Sequence, residues 1–582
     1  MFQKIIIVVV SWLLIGSAMP SYITTIDEIV STSIDMHSLS VTIHILPCTL
    51  LYEGDVVNCT ITGNPETKYW QINGQSQHTT FSGNNPVLFN PEPTPLNETY
   101  VTLIVTVENG SEIASDSVLI QLQHLFFGDL HFHSEISDGY YTPETLYQNA
   151  INDNYLDFVC LTDHGELINQ IDITPPQPIW MWTRSLIQVF MYKFLDRDEW
   201  SLLKENVIRF YNPGNFTTLL GFEYSSGPWF PGGSPLSTNG HDDVSHICFI
   251  YRDVYKDVQK YSAWNLLTFD DLFVAMNNEW ENGHLNVGFT HHPLMRIFWY
   301  GDYTVNWSYF ANKITNTKAR DQVFRGVETY SRWGTAIGKY SGIPIKWPYA
   351  ALSIRDKPEY WVENALWEWS KDARKNLRFV LEASSDTHGI DRPGSAQTQN
   401  ERISKSNPSG IVAAYATHNT RTEIWDALNN CSIYGLQALK IRANVRFDGQ
   451  IALGRWINCT APLKIAISVQ STFPGLDSNG RSMCPDGYDP NELDYPIEDI
   501  WLIKKDTNRG QPWCKVIGHI SPNTSLAVVE FQDLGVQPND FYYIAIRQKG
   551  DCLTDDETLD SDETNDEYMA FLGPVFIDQV GP

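Results

Sequence analysis

The chain has 582 residues, a formal charge of −29, 42% hydrophobic side chains and 13% aromatic ones. That apolar and aromatic content fills sizeable cores, which excludes disorder over most of the length, and length alone points to about three or four domains. The acidic balance excludes a general binder of nucleic-acid backbones, whose affinity rests mainly on Lys and Arg.

At the start, Lys4 precedes the apolar run Ile5–Ile15 and the small residues Gly16, Ser17 and Ala18. This is the order of a signal peptide over 1–18, and it predicts a secreted, extracellular or cell-surface protein; a short uncleaved anchor is the alternative. Residues 40–122 hold short alternating runs such as VTIHI, KYWQING and TYVTLIVTVENG between Gly, Asn and Pro turns. They predict an Ig-like β-sandwich without the usual bridge, serving as spacer or packing partner.

From 124 to 440 strand-like and helix-like runs alternate. The run FFGDLHFHSEISDG delivers His131 and His133 behind a short apolar strand, with Asp138 a few residues on. In a strand, residues i and i+2 share a face, so two imidazoles converge as metal ligands do. The pattern recurs along the chain. DFVCL ends in Thr162-Asp163-His164, Thr217–Phe222 ends in Glu223, and His246 opens HICFIY. Asn286–Thr290 leads into His291 and His292, and Leu377–Ser384 into Asp386 and His388. Ligands drawn from several strand ends to one mouth suit a parallel α/β barrel. Thr142-Pro143-Glu144 reads as a helix start, and the stretch Thr268 to Gly283 as a second capped helix. Two segments rich in Trp, Tyr and Arg, Ile171–Pro213 and Arg296–Lys375, interrupt the pattern as cleft-shaping insertions or as a helical packing layer.

Residues 441–582 return to strands, among them LKIAISVQ, EDIWLIKKD and DFYYIAIRQ, and predict a second β-sandwich. The acidic stretch at 551–568 reads as a solvated loop, since it lacks EF-hand spacing. Of nine cysteines, Cys160 and Cys248 read as buried thiols; Cys48 with Cys59, and several of Cys431, Cys459, Cys484, Cys514 and Cys552, read as disulfide candidates. Sequons at Asn58, Asn97, Asn109, Asn215, Asn306, Asn430, Asn458 and Asn523 are compatible with a glycoprotein.

In order along the chain, DLHFHSEISDG, LTDHG, GFEYS, HHP and SDTHG resemble the motifs of the PHP (polymerase and histidinol phosphatase) metal-dependent phosphoesterases. The likeness covers roughly 124–440, with GVETYSRWG and RTEIWDALNNCSIYG as supporting segments, and looks like a secreted branch with β-domains around the core. It implies an α/β fold, a distorted (β/α)7 barrel flanked by N-terminal and C-terminal β-sandwich domains.

Carried over residue by residue, the likeness implies His131, His133, Glu223 and Asp386 around one ion, and Glu223, His246 and His292 around a second. Asp138, His164 and His388 would hold a third. His292 is preferred to His291 because the family's histidine stands immediately before proline. The cofactors implied are two or three divalent ions, Mn, Fe or Zn, activating a metal-bridged hydroxide against a small phosphorylated substrate: a phosphomonoester, phosphodiester or nucleotide. Asp386 would take or relay the proton, and Arg296, with Arg332 and Arg392 as alternatives, would grip the phosphate. The other readings are a non-catalytic extracellular binding or adhesion protein that keeps the barrel as scaffold, and a metal-dependent hydrolase of a non-phosphate substrate.

Overall fold

The computed structural model describes residues 100–137, 139–152, 156–166, 198–225, 246–262, 269–291, 305–313, 316–344, 357–375, 377–388, 409–437, 439–471, 496–550 and 566–581, with short pieces at 40–44, 50–52, 56–62, 67–72, 75–79, 87–88, 168, 293–297, 301–302 and 353–354. The signal segment, Asp138, His292, Arg392, most of the first insertion, most of the acidic stretch, Cys48, Cys484 and Cys552 lie outside the described residues.

Toward the N-terminus β1 (Thr67–Ile72), β2 (Tyr100–Asn109) and β3 (Glu112–Asp129) pair antiparallel. In β2, Leu103, Val105 and Val107 are buried and alternate with Thr and Ile that are half covered, which is the period of a strand with one covered face. Gly110, at φ 59°, turns β2 back into β3. β3 then runs on for 18 residues, well past its pairing with β2.

Its far half enters a closed sheet with β4 (Phe158–Leu161), β5 (Thr217–Ser225), β6 (His246–Tyr251), β7 (Asn286–His291), β8 (Phe324–Ser331) and β9 (Val380–Ala383). β3–β4, β4–β5, β7–β8 and β8–β9 are parallel, whereas β6 runs antiparallel to both β5 and β7. The ring closes where Asp386 N donates to His131 O (2.7 Å) and His133 N to Thr387 O (2.9 Å). Beyond it β10 (Gly410–Ala416) pairs with β3, and β11 (Ile433–Gln437) with β10.

Helices cover this ring: α1 (Pro143–Asn152), α2 (Glu199–Arg209), α3 (Phe269–Glu281), α4 (Trp307–Lys313), α5 (Thr317–Val323), α6 (Val362–Trp369) and α7 (Arg421–Asn429). Thr142 Oγ1 accepts the Thr145 N–H at 3.1 Å and starts α1, and α3 occupies the expected capped helix. The second insertion, expected over Arg296–Lys375, is not a single interruption: it contains the ring strand β8, and only its helices form a packing layer, with Trp307, Phe310 and Trp369 buried against Phe324 and Phe379.

The C-terminal strands are β12 (Arg442–Phe447), β13 (Arg455–Thr460), β14 (Leu463–Gln470), β15 (Ile497–Lys505), β16 (Cys514–Ile520), β17 (Leu526–Asp533), β18 (Phe541–Gly550) and β19 (Asp566–Gly581). β12–β14–β17 form one sheet, and β16–β15–β18–β19–β13 another. β19 also pairs with β11 at Gly435↔Phe571 and Leu436↔Ala570.

The expected (β/α)7 barrel between separate sandwiches is therefore overturned. Strand far outweighs helix, the ring mixes parallel and antiparallel neighbours, and hydrogen bonding passes without a break through β3 and β11 into the sheets on either side. An antiparallel member abolishes the strict strand–helix alternation, because such pairs do not require a crossover helix. The disulfide expectation also fails where it is described: Cys431, Cys459 and Cys514 are buried free thiols, like Cys160 and Cys248.

Candidate metal centre

The mouth of the closed sheet gathers the polar residues. Cys160, Leu219, Ile250, Val287, Phe289 and Val380 pack below it in one buried cluster with Ile424, Trp425 and Leu428 of α7, which seals the opposite end. By strand alternation the same faces carry His164, Glu223, His246, His291 and Glu382 nearer the mouth. His246 opens its strand while the other ligand types close theirs, and its strand is the one that runs backwards.

Glu223 is fully buried at the centre, and its two oxygens divide the surrounding imidazoles. Oε1 receives His246 Nδ1 in a short contact and lies 2.7 Å from His291 Nε2. Oε2 lies 2.9 Å from His164 Nδ1, 3.3 Å from His133 Nε2 and 3.5 Å from His131 Nε2. Asp386 Oδ1 stands 3.3 Å from His133 Nε2 and 3.6 Å from His131 Nε2. The backbone of Asp386 is left-handed at φ 54°, and Trp333 Nε1 donates to its Oδ2. His388 stacks on His133 with ring centroids 4.0 Å apart, and its Nδ1 is 3.3 Å from Asp386 Oδ1.

Neighbouring groups hold this constellation. Asp163 accepts the Ser134 N–H (2.7 Å), the Ser134 hydroxyl (2.6 Å) and the Ser137 hydroxyl (2.5 Å), fixing the turn after His133. Ser225 Oγ lies 2.6 Å from His164 Nδ1, and Glu166 accepts the Ser225 N–H. Burial alone would raise the Glu223 carboxyl, but His164, His246 and His291 hold it well below the usual carboxylate range. The same contest ends likewise at Asp386, where burial is outweighed by His388 and His131. Burial lowers His246, favouring the neutral ring that a metal requires.

The donor set fits divalent ions. His131 Nε2 and His133 Nε2 face each other at 3.1 Å, an arrangement that needs either a proton or a cation between two lone pairs. Glu223 Oε2 accepts no well-directed hydrogen bond among the described residues although two imidazoles approach it closely. Four sets of ligand atoms lie within 4.8 Å of one another: His131, His133 and Glu223; His164, Glu223 and His246; His133, His164 and His388; and His131, His291 and Glu328.

Of the residues expected from sequence, His131, His133, His164, Glu223, His246, Asp386 and His388 thus meet at one mouth. Asp138 and His292 lie outside the described residues; the ring of His291 reaches Glu223. His291 shares its strand face with Val287 and Phe289. Arg296 lies in the short strand Met295–Ile297. The sequence reading passed over Glu328 and Trp333, both within GVETYSRWG. The available signal was a Glu inside the strand-like run FRGVETYS, since such a residue is rarely buried unless partnered.

Residues 369–454, which include β9, Asp386, His388, β10, α7 and β11, match a family model described as a protein of unknown function, DUF3604. No curated protein matches the chain. Among solved structures, a two-domain protein from Bacteroides vulgatus containing a predicted PHP-like metal-dependent phosphoesterase is weakly similar: 12% identity, 77% of this chain and 95% of that one, TM-score 0.29. A β-glucuronidase of Parabacteroides merdae shares 8% identity over 94% of this chain and 65% of its own, TM-score 0.17. One from Bacteroides uniformis shares 9% over 93% and 61%, TM-score 0.18.

Proposed function

We propose that the protein is a metal-dependent phosphoesterase, cleaving a small phosphomonoester, phosphodiester or nucleotide. The observation that carries this reading is Glu223, a buried carboxylate with the rings of His131, His133, His164, His246 and His291 around its two oxygens and Asp386 beside them. Ions bound there would acidify a water and offset charge on phosphoryl oxygens. Their ligands on this reading are His131, His133, Glu223 and Asp386; Glu223, His246 and His291; and His164 and His388 with Asp138.

Glu223 suits two ions at once because it turns one oxygen to each group of rings. Asp386 serves to accept or relay a proton: the Trp333 N–H holds Oδ2, which leaves Oδ1 toward His131 and His133. Arg296 is proposed to grip the phosphate. The overall charge of −29 favours a small phosphorylated substrate over a nucleic-acid polymer. Export is proposed from the leading Lys4 and Ile5–Ile15 pattern, and no helix among the described residues is long and apolar enough to cross a membrane. We place the catalytic unit at 124–440, which holds every residue of the cluster, between further units at 40–122 and 441–582.

The test is metal analysis of the purified protein beside a screen of phosphomonoesters, phosphodiesters and nucleotides with Mn, Fe or Zn. Metal-dependent release of phosphate or alcohol supports the reading. Full metal loading with no turnover on any phosphate ester would overturn it, and would favour a binding protein or a hydrolase of another bond.

A further inference from the structure

The rings of His131 and His291 each show two faces to the protein. Their Nε2 atoms turn toward Glu223, at 3.5 and 2.7 Å. Their Nδ1 atoms turn toward a single oxygen on the other side, Glu328 Oε2, at 3.6 and 3.7 Å. The two rings meet edge to face with centroids 3.8 Å apart, so neither can flip without displacing the other. Glu328 is 2% exposed and comes from β8, where it lies opposite Glu382 of β9 in the parallel ladder. Ser384 Oγ donates to Glu382 Oε2 at 2.8 Å, and Thr329 Oγ1 to the Glu382 carbonyl at 2.8 Å, so this second carboxyl is itself tied down.

A neutral imidazole has one N–H and one lone pair, and the ring atom that carries the proton decides which atom can bind a metal. At 3.6 and 3.7 Å the Glu328 carboxylate is an electrostatic neighbour just beyond hydrogen-bond length, and its charge favours the proton on Nδ1, which frees Nε2. We infer that Glu328 is a positioning residue of the metal centre, one carboxylate that sets the tautomer and ring orientation of His131 and His291 together and so presents both Nε2 atoms to Glu223. The inference rests on the metal-centre reading but not on the identity of the substrate. It distinguishes Glu328 from a ligand: the ligand atoms of both histidines lie on the far side of their rings from it. Carboxylates placed this way orient metal-bound histidines, and their loss typically weakens metal binding about 10- to 100-fold.

The experiment titrates apoprotein with Zn or Co alone, against a chelator of known affinity, for the wild type and for Glu328→Gln, Glu328→Ala and Glu382→Gln. Thermal unfolding and the Co absorption spectrum are recorded on the same samples. The expected result for Glu328→Ala is about a 10- to 100-fold weaker affinity with an unchanged number of ions at saturation. Glu328→Gln, whose amide oxygen can still accept an N–H, should recover part of that loss, and Glu382→Gln should bind nearly as the wild type does. Loss of one ion at saturation in both Glu328 variants would make Glu328 a ligand and overturn the proposal; unchanged affinity in both would overturn it equally. A Glu328→Ala protein too unstable to titrate leaves Glu328→Gln to decide between those outcomes. A wild type that binds ions but cleaves no phosphate ester would sink the proposed activity and leave this inference standing.

Discussion

Two buried polar regions of the molecule handle charge differently. In the C-terminal sheets Lys504 lies 2.6 Å from Asp533 and 2.8 Å from Asp540, and Tyr542 donates to Asp533 at 2.5 Å. There the protein supplies its own cation, one ammonium shared by two carboxylates, whatever the buffer contains. At the mouth of the closed sheet Glu223 is surrounded by imidazoles, whose charge depends on protons or on a guest ion. Folding stability at the mouth is thus linked to the solution, while that of the C-terminal cluster is built in.

The widest separation between the two regions should come from Glu223→Ala. The wild type should gain about 4 kcal/mol of stability with an ion at 1,000 times its Kd, whereas this variant should gain almost none and lose turnover as well. Thermal unfolding with metal and with chelator reads the first effect, and substrate assays the second. Lys504→Met is the mirror experiment. Leaving Asp533 and Asp540 without their cation should cost roughly 3–5 kcal/mol, equally with metal and with chelator. A metal-dependent cost there would break the comparison.

A third test concerns pH. Burial pushes the Glu363 carboxyl up to about 7, against backbone N–H bonds from Gly338 (2.8 Å) and Tyr340 (3.0 Å). Because its folded pKa lies above the unfolded value near 4.5, the unfolded chain gives up this proton first. The favourable contribution is complete below about pH 4.5 and is lost as pH rises through about 7, by roughly 3 kcal/mol in all. Chemical denaturation of wild type and Glu363→Gln from pH 4.5 to 8 should show that slope in the first and not in the second. The smallest stability effect is expected at Asp386→Asn, within about 1 kcal/mol, because Asn tolerates the left-handed backbone and keeps the shape. Its turnover should still fall about a hundredfold or more, since charge and proton-accepting capacity are gone. Wild-type turnover in this variant would remove Asp386 from the chemistry.

Much of the centre was legible because its ligands stand at the ends of short apolar runs, and a two-residue period puts His131 and His133 together. The same period, counted from Val287 and Phe289, also points to His291. Glu328 was hidden because its partners, His131 and His291, are remote in sequence and only the ring closure brings them near. The continuous sheet was hidden for another reason. Composition changes near residue 123, from strict alternation to the apolar cluster Leu125–Phe127, and reads as a division, yet the strand passes straight through and simply exchanges a half-covered setting for a fully buried one. β16 is hard to read in sequence because its alternation is weak, with half-exposed residues on both faces.

The uninterrupted length of β3 makes the first hairpin and the metal centre mechanically one object. Its pairing with β2 fixes where the strand sits along its own axis, and two residues past its end stands His131. A slip of one residue in that hairpin would carry the histidines about 3.4 Å and turn them to the wrong face; a slip of two would restore the face but move them by about twice that distance. Metal–ligand distances tolerate only about 0.2 Å. An occupied centre should therefore act as a ratchet stop on a ladder of hydrogen bonds that begins at Asn109 and Glu112, so that strain applied to the hairpin is felt first as weakened ion binding.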